Sequence, residues 1–142
     1  MEGVVLQEGV FVGQEQQVVK KRILVIDDEP HIVKLVHLCL GTKKYDVHSV
    51  YSGKEALQLI KQTTPDLVVL DIMMPGINGY EICQALRENS STKRVPIIIL
   101  SAKSQMEDKL HAIDVGADDY ICKPFDPAEL ARRIRLNLTL AS

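Results

Sequence analysis

Acidic side chains follow two apolar runs of this sequence at the points where the runs end. Asp27 and Asp28 come directly after Ile23–Ile26, and Asp71 follows Leu67–Leu70. Two carboxylates about 4 Å apart repel each other by roughly 4 kcal/mol at an effective dielectric near 20. Mg²⁺ prefers oxygen ligands and often binds one or two carboxylates together with phosphate. If these residues meet in the fold, they predict a metal-dependent phosphoryl site.

Two further polar residues follow other apolar runs. Ser101 comes after Ile97–Leu100, and Lys123 comes after the short run 120–122. A lysine supplies one positive charge, which is too little to balance three carboxylates. A plainer interpretation makes the acidic pair a helix cap and Asp71 the start of a loop, and it suits any one of these residues alone. The joint placement at four strand ends favours a site.

The elements that position these residues alternate along the chain. Because buried parallel strands have continuous apolar runs, we predict strands at 23–26, 47–51, 67–70, 97–100 and 120–122. Amphipathic stretches predict helices at 31–40, 53–62, 80–88, 105–114 and 127–138. This alternation predicts an α/β fold, a (βα)₅ flavodoxin-like doubly wound parallel sheet with strand order 2-1-3-4-5. Ligands bind such sheets at the carboxyl ends of strands 1 and 3.

Local signals mark the helix starts and the helix faces that we expect to be buried. Ser52 with Glu55 and Ser104 with Glu107 have the spacing of capping boxes. Asp126 precedes Pro127 as an N-cap. The predicted buried stripes are Ile32, Val36 and Leu40; Ala56 and Ile60; Ile82 and Leu86; Leu110 and Ile113; and Leu130, Ile134 and Leu138.

Length and composition restrict the function classes. The chain has 142 residues, which suit one domain. We predict a domain over 21–140. Residues 1–20 are predicted to form an extended or mobile tail, with a weak strand signal at 10–12. The net charge of −2 argues against nucleic-acid binding by this domain. The sequence has no apolar run of the roughly 18 residues that a membrane span needs and no secretory signal pattern. These features predict a cytoplasmic protein that does not contact membranes.

Cysteine and histidine give no metal signal. The three cysteines, Cys39, Cys83 and Cys122, are widely spaced and form no CxxC pair, so we expect buried free thiols. The four histidines are single and are expected to be ordinary surface or boundary residues. They are His31, His37, His48 and His111.

Four motifs of this sequence together resemble the response-regulator receiver domain of two-component signalling. They are the acidic-pair motif 23–30, the phosphoacceptor loop 70–79, the pair Ser101–Ala102 and the segment 116–125. The resemblance covers 22 to about 138 and is most similar in pattern to receivers of transcription-factor-type regulators. Each motif alone has moderate specificity, whereas the four in this order are specific.

The resemblance implies a phosphoryl-accepting domain that works with Mg²⁺. Asp71 is the implied phosphoacceptor, and the implied metal ligands are Asp28, Asp71 and the backbone carbonyl of Met73, with Asp27 acting through water. The donor is a sensor histidine kinase or a phosphotransfer protein. We expect no enzyme activity beyond self-phosphorylation from a phosphodonor and slow autodephosphorylation.

The remaining implied roles concern the phosphoryl oxygens and a conformational switch. Lys123, Ser101 and the N–H of Ala102 bind phosphoryl oxygens, and a cis bond before Pro124 directs the lysine into the site. When Ser101 moves toward the phosphoryl group, Tyr120 rotates inward from an exposed rotamer.

The surface that changes is formed by helix 4, strand 5 and helix 5. We expect a symmetric homodimer to form through this surface after phosphorylation. The expected intermolecular pairs are Lys109–Glu129, Asp119–Arg133 and Asp114–Arg135.

Other functions fit less well. A haloacid-dehalogenase-type phosphohydrolase has a second aspartate two residues after its nucleophile, where this chain has Met73. No GxGxxG follows a strand, which argues against a dinucleotide-binding domain. A receiver-like interaction module that works without phosphorylation remains an alternative, although such modules usually lack a site residue. The sequence leaves open whether the chain is a stand-alone receiver or part of a longer regulator.

Overall fold

The computed structural model describes residues 19–142, so most of the predicted tail lies outside the described residues, including its weak strand signal at 10–12. Five strands and five helices alternate along the described chain. They are β1 (Lys21–Ile26), α1 (Pro30–Leu40), β2 (Tyr45–Val50), α2 (Gly53–Gln62), β3 (Leu67–Leu70), α3 (Gly79–Glu88), β4 (Ile97–Ser101), α4 (Met106–Asp114), β5 (Asp119–Cys122) and α5 (Pro127–Ala141).

All five strands are parallel and lie in the order β2-β1-β3-β4-β5. The predicted fold class and strand order are therefore confirmed. β1 and β3 are neighbours in the middle of the sheet, and Ile26 at the end of β1 pairs with Leu70 at the end of β3. The residues that follow these two strands must therefore leave the sheet side by side.

The sheet is buried on both faces, as the continuous apolar runs predict. Leu24 and Leu70 point into one core cluster with residues of α2 and α3. Val25 and Val69 point into a second cluster with residues of α1 and α5. Alternate residues of one strand thus anchor helices on opposite faces, which holds the strand ends rigid beneath the site.

Apart from α4, the helix starts follow the predicted chemistry with one shift, at α2, and one addition, at α3. Asp126 caps α5 by accepting a hydrogen bond from the N–H of Ala128. Ser52 accepts a hydrogen bond from the N–H of Glu55, as predicted. The Glu55 carboxylate accepts from the N–H of Tyr51, whereas a capping box predicts the N–H of Ser52. α3 begins with a capping box that we did not predict. It is formed by Asn78 and Glu81.

The prediction for α4 was wrong in both its cap and its buried face. Its N-cap is Gln105, which forms a capping box with Asp108, one residue later than the predicted pair. Leu110 and Ile113 are 54% and 64% exposed, and the buried residue of this helix is Ala112. A small side chain therefore faces the core, so the helix lies close against it and its larger apolar residues face solvent.

The predicted boundaries differ most near the edge and at the carboxyl end of the chain. β2 begins two residues earlier than predicted and ends at Val50, and α5 continues three residues further, to Ala141. Leu40 and Leu138 are only partly buried, at the margin of their cluster. None of the helices in residues 19–142 has the length and apolar character needed to cross a membrane.

Candidate functional site

The register of the central strands brings Asp27 and Asp71 together. The N–H of Asp71 donates a 2.9 Å hydrogen bond to the carbonyl of Ile26, which fixes the start of one loop to the end of the neighbouring strand. On the other side of β1, the N–H of Asp27 donates to the carbonyl of Val50. Both aspartates therefore occupy positions set by backbone hydrogen bonds.

Three aspartates form an acidic cluster at this edge. Carboxylate oxygens of Asp27, Asp28 and Asp71 all lie within 4.8 Å of one another. Asp27 and Asp71 are only 2% and 3% exposed, whereas Asp28 is more open to solvent. The cluster thus has two fixed, buried carboxylates and one accessible carboxylate.

Backbone amides hold one oxygen of each buried carboxylate. The N–H of Glu29 donates to Asp27 Oδ1 at 3.0 Å, and the N–H of Met73 donates to Asp71 Oδ1 at 2.9 Å. In both residues Oδ2 is turned toward Lys123. The two carboxylates are therefore oriented in the same way, with one oxygen bound to backbone and the other facing the site.

Lys123 joins the carboxylates from the end of β5. Its Nζ lies 2.8 Å from Asp27 Oδ2 and 3.2 Å from Asp71 Oδ2. The bond between Lys123 and Pro124 is cis, as the resemblance implies. A third partner, Glu29, lies 2.8 Å from Nζ through Oε1. No role was predicted for Glu29 from the sequence.

The protonation of these groups reflects burial and pairing. Burial raises the pKa of Asp27, and the ammonium of Lys123 close beside it opposes this shift. Burial alone would lower the pKa of Lys123, but the neighbouring carboxylates of Asp27 and Glu29 outweigh it, so the pKa lies above its ordinary value. The surrounding carboxylates therefore favour the charged form of Lys123.

The donor set suits a hard divalent cation. Asp27 Oδ2 is buried and, among residues 19–142, has no partner with hydrogen-bond geometry, although Lys123 Nζ is close. The ligand atoms in the cluster are all carboxylate oxygens, which Mg²⁺ prefers to nitrogen or sulfur. The residues present therefore fit the metal that the resemblance implies.

A cavity of about 210 Å³ opens over the acidic cluster. It is large enough for several water-sized ligands or a phosphoryl group. Its lining residues are Asp28, Glu29, Asp71, Met73, Ala102 and Lys123. Five of these six carry predicted roles, and Glu29 is the sixth.

Ser101 and Tyr120 are linked through the backbone of Lys103. Ser101 is fully buried, and its Oγ accepts a 3.2 Å hydrogen bond from the N–H of Lys103. The Tyr120 hydroxyl donates to the carbonyl of Lys103 at 2.8 Å, and its half-buried ring packs against a core cluster. The sequence analysis expected an exposed ring before phosphorylation. In this structure the ring is packed inward, so the predicted rotation stays a prediction.

The predicted dimer surface already contains ion pairs within one chain. Arg133 contacts both Asp119 and Glu129, and Arg132 contacts Glu129. Two of the residues expected to pair across a dimer, Asp119 and Arg133, are therefore partners within the monomer. Beside them lies an exposed apolar stripe on α4. Its residues are Met106, Leu110 and Ile113.

The histidines and cysteines lie outside this chemistry. Within residues 19–142, the one cluster with metal-ligand geometry contains neither residue type. All three cysteines are free, as predicted, but Cys39 and Cys122 are half-buried and only Cys83 is buried. His111 stacks on Tyr80 with ring centroids 3.9 Å apart, a contact that the sequence did not indicate.

Comparison with known proteins agrees with this geometry. Residues 23–135 match the family model of the response regulator receiver domain. The ycf27 protein of Porphyridium aerugineum is 50% identical over 116 residues, which are 82% of this chain and 47% of that protein. The response regulator ArlR of Staphylococcus saprophyticus is 47% identical over 117 residues, which are 82% of this chain and 52% of ArlR.

Solved structures of similar sequence share the fold. The receiver domain of the Francisella response regulator 1452 has a TM-score of 0.80 at 32% identity and covers 87% of this chain and 100% of that one. The chemotaxis protein CheY4 of Vibrio cholerae has a TM-score of 0.79 at 30% identity, over 83% of this chain and 98% of that one. The chain belongs to the response-regulator receiver family. It spans about half the length of the curated relatives it matches.

Proposed function

We propose that this domain accepts a phosphoryl group on Asp71 from a sensor histidine kinase or a phosphotransfer protein. The observation that carries the proposal is the setting of the Asp71 carboxylate. One oxygen is held by the N–H of Met73, and the other lies 3.2 Å from the Lys123 ammonium in a cavity beside two further carboxylates. A carboxylate held this way is an oriented nucleophile next to a cation.

The transfer follows from this orientation. Asp71 Oδ attacks phosphorus, an O–P bond forms, and the P–N bond to the donor imidazole breaks, with the imidazole keeping the electron pair and taking a proton. Such a transfer needs mainly positioning and charge neutralisation. Mg²⁺, when bound, supplies charge neutralisation; Asp28, Asp71 and the carbonyl of Met73 would hold it, with Asp27 acting through water.

Three residues receive the phosphoryl oxygens in this proposal. Lys123 pairs with one oxygen, since its ammonium already faces Asp71. The N–H of Ala102 binds another, because Ala102 lines the same cavity. The Ser101 hydroxyl donates its O–H to the third, and its movement toward that oxygen pulls on the hydrogen bond that Oγ accepts from the N–H of Lys103.

The output is a change in the surface formed by α4, β5 and α5. Ser101 bonds to the backbone N–H of Lys103, and Tyr120 bonds to the carbonyl of the same residue. A movement of Ser101 therefore shifts the carbonyl that holds Tyr120, which biases the position of α4.

The altered surface serves as a homodimer interface in this proposal. The exposed Leu110 and Ile113 supply apolar area at its centre. Lys109–Glu129, Asp119–Arg133 and Asp114–Arg135 are the proposed pairs across it. Exposed ion pairs contribute only about 0–1 kcal/mol each, so they set the register while the apolar stripe supplies the affinity. The Arg133 pairs within each monomer must then be exchanged or shared between subunits.

The domain acts as a cytoplasmic signalling module. It is not a true enzyme in this proposal, because the phosphoryl group stays on its own Asp71 side chain. Its activity is limited to self-phosphorylation and slow autodephosphorylation. It contacts neither nucleic acid nor membrane directly in this proposal.

One observation favours a second candidate, an interaction module that works without phosphorylation. Tyr120 is packed inward, and the apolar stripe on α4 is exposed to solvent. A surface that is competent without a phosphoryl group would bind its partner constitutively.

Treatment with acetyl phosphate, followed by intact mass measurement, separates the two candidates. The phosphoacceptor proposal predicts a gain of one phosphoryl group in Mg²⁺, no gain with a chelator, and no gain in Asp71→Ala. The matched control is Asp46→Ala, an exposed aspartate on β2, which gains the group normally. If the wild type gains no mass, or Asp71→Ala is labelled as well, the proposal is wrong and the interaction module remains.

A further inference from the structure

The geometry points to Glu29 as a positioning residue that holds the Lys123 ammonium in the unphosphorylated protein and competes with the phosphoryl group for it. This inference rests on the proposed function and adds a residue to its site. Glu29 Oε1 lies 2.8 Å from Lys123 Nζ, a shorter distance than the 3.2 Å to Asp71 Oδ2. Of the two Lys123 contacts with hydrogen-bond geometry, the shorter is thus made to a residue outside the predicted machinery.

The donor capacity of Lys123 makes this contact competitive. An ammonium has three N–H donors, and two of them meet hydrogen-bond geometry, one to Glu29 and one to Asp71. Nζ also lies 2.8 Å from Asp27 Oδ2, and the lysine side chain is only 10% exposed. Because three carboxylate oxygens already lie within 3.2 Å of Nζ, a phosphoryl oxygen on Asp71 must compete with them for its N–H groups.

Glu29 is the acceptor that is free to withdraw. The carboxylates of Asp27 and Asp71 are buried and each is fixed by a backbone N–H. The Glu29 side chain is 45% exposed, and among the described residues its carboxylate has no hydrogen-bond donor except Lys123. The Glu29 side chain can therefore move into solvent without breaking another hydrogen bond among the described residues.

The backbone of Glu29 explains why its carboxylate reaches this place. Glu29 is the N-cap residue of α1, yet its side chain makes no capping hydrogen bond within residues 19–142. Its N–H is held by Asp27 Oδ1, and its carbonyl accepts from the N–H groups of Ile32 and Val33. The backbone is fixed from both sides, so the side chain is directed over the cavity that it lines.

The negative charge of Glu29 disfavours the phosphorylated state, as does its hydrogen bond to Lys123. A phosphoryl group brings negative charge into a cavity that already holds the acidic cluster. Glu29 adds a further negative charge at the mouth, and like charges at this range repel. Loss of the Glu29 charge should therefore favour the phosphorylated state, whereas a residue that only supported Lys123 would weaken that state when changed.

The test is the affinity of Glu29→Gln for beryllofluoride, a phosphoryl mimic, measured by ¹⁹F NMR in saturating Mg²⁺. We expect binding about fivefold tighter than wild type, the scale of one partly exposed ion pair. The matched control Glu88→Gln removes one negative charge from the exposed end of α3 and should leave the affinity unchanged. Equal or weaker binding by Glu29→Gln would overturn the inference.

A second readout works without metal or phosphoryl mimic. In ion-free protein, ¹⁵N NMR reports the rate at which the Lys123 ammonium protons exchange with water. Glu29→Gln should speed this exchange, and Glu88→Gln should not; an unchanged rate in Glu29→Gln overturns the inference. If wild-type protein fails to bind beryllofluoride, the proposed function fails, and the exchange rate still decides whether Glu29 holds Lys123.

Discussion

The Tyr120 hydroxyl donates a 2.8 Å hydrogen bond to the backbone carbonyl of Lys103. The N–H of the same residue donates to Ser101 Oγ, so one peptide segment connects the buried hydroxyl beneath the cavity with the aromatic side chain of β5. Ser101 lies at the end of the strand that neighbours β5 in the sheet. Ser101, Lys103 and Tyr120 therefore form a hydrogen-bonded connection from the site to the surface formed by α4, β5 and α5.

We predict that Tyr120 ionises well above the ordinary pKa of a tyrosine. Burial raises its pKa to about 12 from an ordinary value of 10.0. Because the folded pKa is the higher one, folding favours the neutral hydroxyl; this stabilisation is complete below the ordinary pKa and is lost as the pH rises toward 12. Ultraviolet titration should show a tyrosine step near that pH, and Tyr120→Phe should remove it. A titration curve that is unchanged in Tyr120→Phe would contradict the packing described here.

Gly79 gives a prediction about the loop after Asp71. A Cβ at Gly79 would lie 2.5 Å from the Ile72 Cα and 2.6 Å from the Asp71 carbonyl oxygen. Gly79→Ala should therefore cost about 3 kcal/mol of unfolding free energy, since backbone atoms must shift.

The control for this substitution lies in the same loop. Gly76 has a φ of +79° and no atom within 4 Å of its missing Cβ, so Gly76→Ala should cost only about 1 kcal/mol. Urea denaturation measures both. A smaller loss for Gly79→Ala than for Gly76→Ala would show that the loop does not pack against α3 as described.

The proposed dimer depends on the apolar stripe of α4. Ile113 is 64% exposed, and Ile113→Asp places a charge in the centre of the interface. We expect beryllofluoride-induced dimerisation to weaken by about tenfold or more, because a charge must be desolvated. The matched control is Leu38→Asp on α1, where Leu38 is 75% exposed. Light scattering at high concentration measures the oligomeric state. If the wild type stays monomeric with beryllofluoride, the proposed dimer is refuted.

Magnesium should stabilise the fold through the acidic cluster. A ligand at ten times its Kd stabilises the native state by about 1.4 kcal/mol, which a thermal melt detects. Asp28→Asn removes the accessible carboxylate and should raise the Kd for Mg²⁺ about tenfold or more. Glu88→Gln serves as the charge control. Equal stabilisation of the wild type and Asp28→Asn would place the ion elsewhere.

The sheet and the strand-end residues were predictable because their signals are local or follow from topology. A run such as Leu67–Leu70 is buried on both faces, and its composition indicates this without knowledge of its neighbours. Once the strand order is known, the ends of β1 and β3 must adjoin. The positions of Asp27 and Asp71 follow from that order alone.

The face of α4 and the contact of Glu29 could not be predicted, for different reasons. Periodicity places Leu110 and Ile113 on one stripe, but it does not state whether another element covers that stripe. Glu29 meets Lys123 across 94 positions of sequence. As an acid at a helix start, Glu29 has the pattern of an ordinary surface residue, and its partner is brought to it only by the fold.

The most direct measurement of the central claim is chemical location of the phosphoryl group. Sodium borohydride reduces an acyl phosphate to an alcohol at the carbon that carried it, and peptide mass spectrometry then identifies the residue. After treatment with acetyl phosphate and Mg²⁺, we predict reduction at Asp71 and at no other carboxylate of the cavity. Reduction at Asp27 or Asp28, or phosphorylated protein in which Asp71 is unmodified, would contradict it.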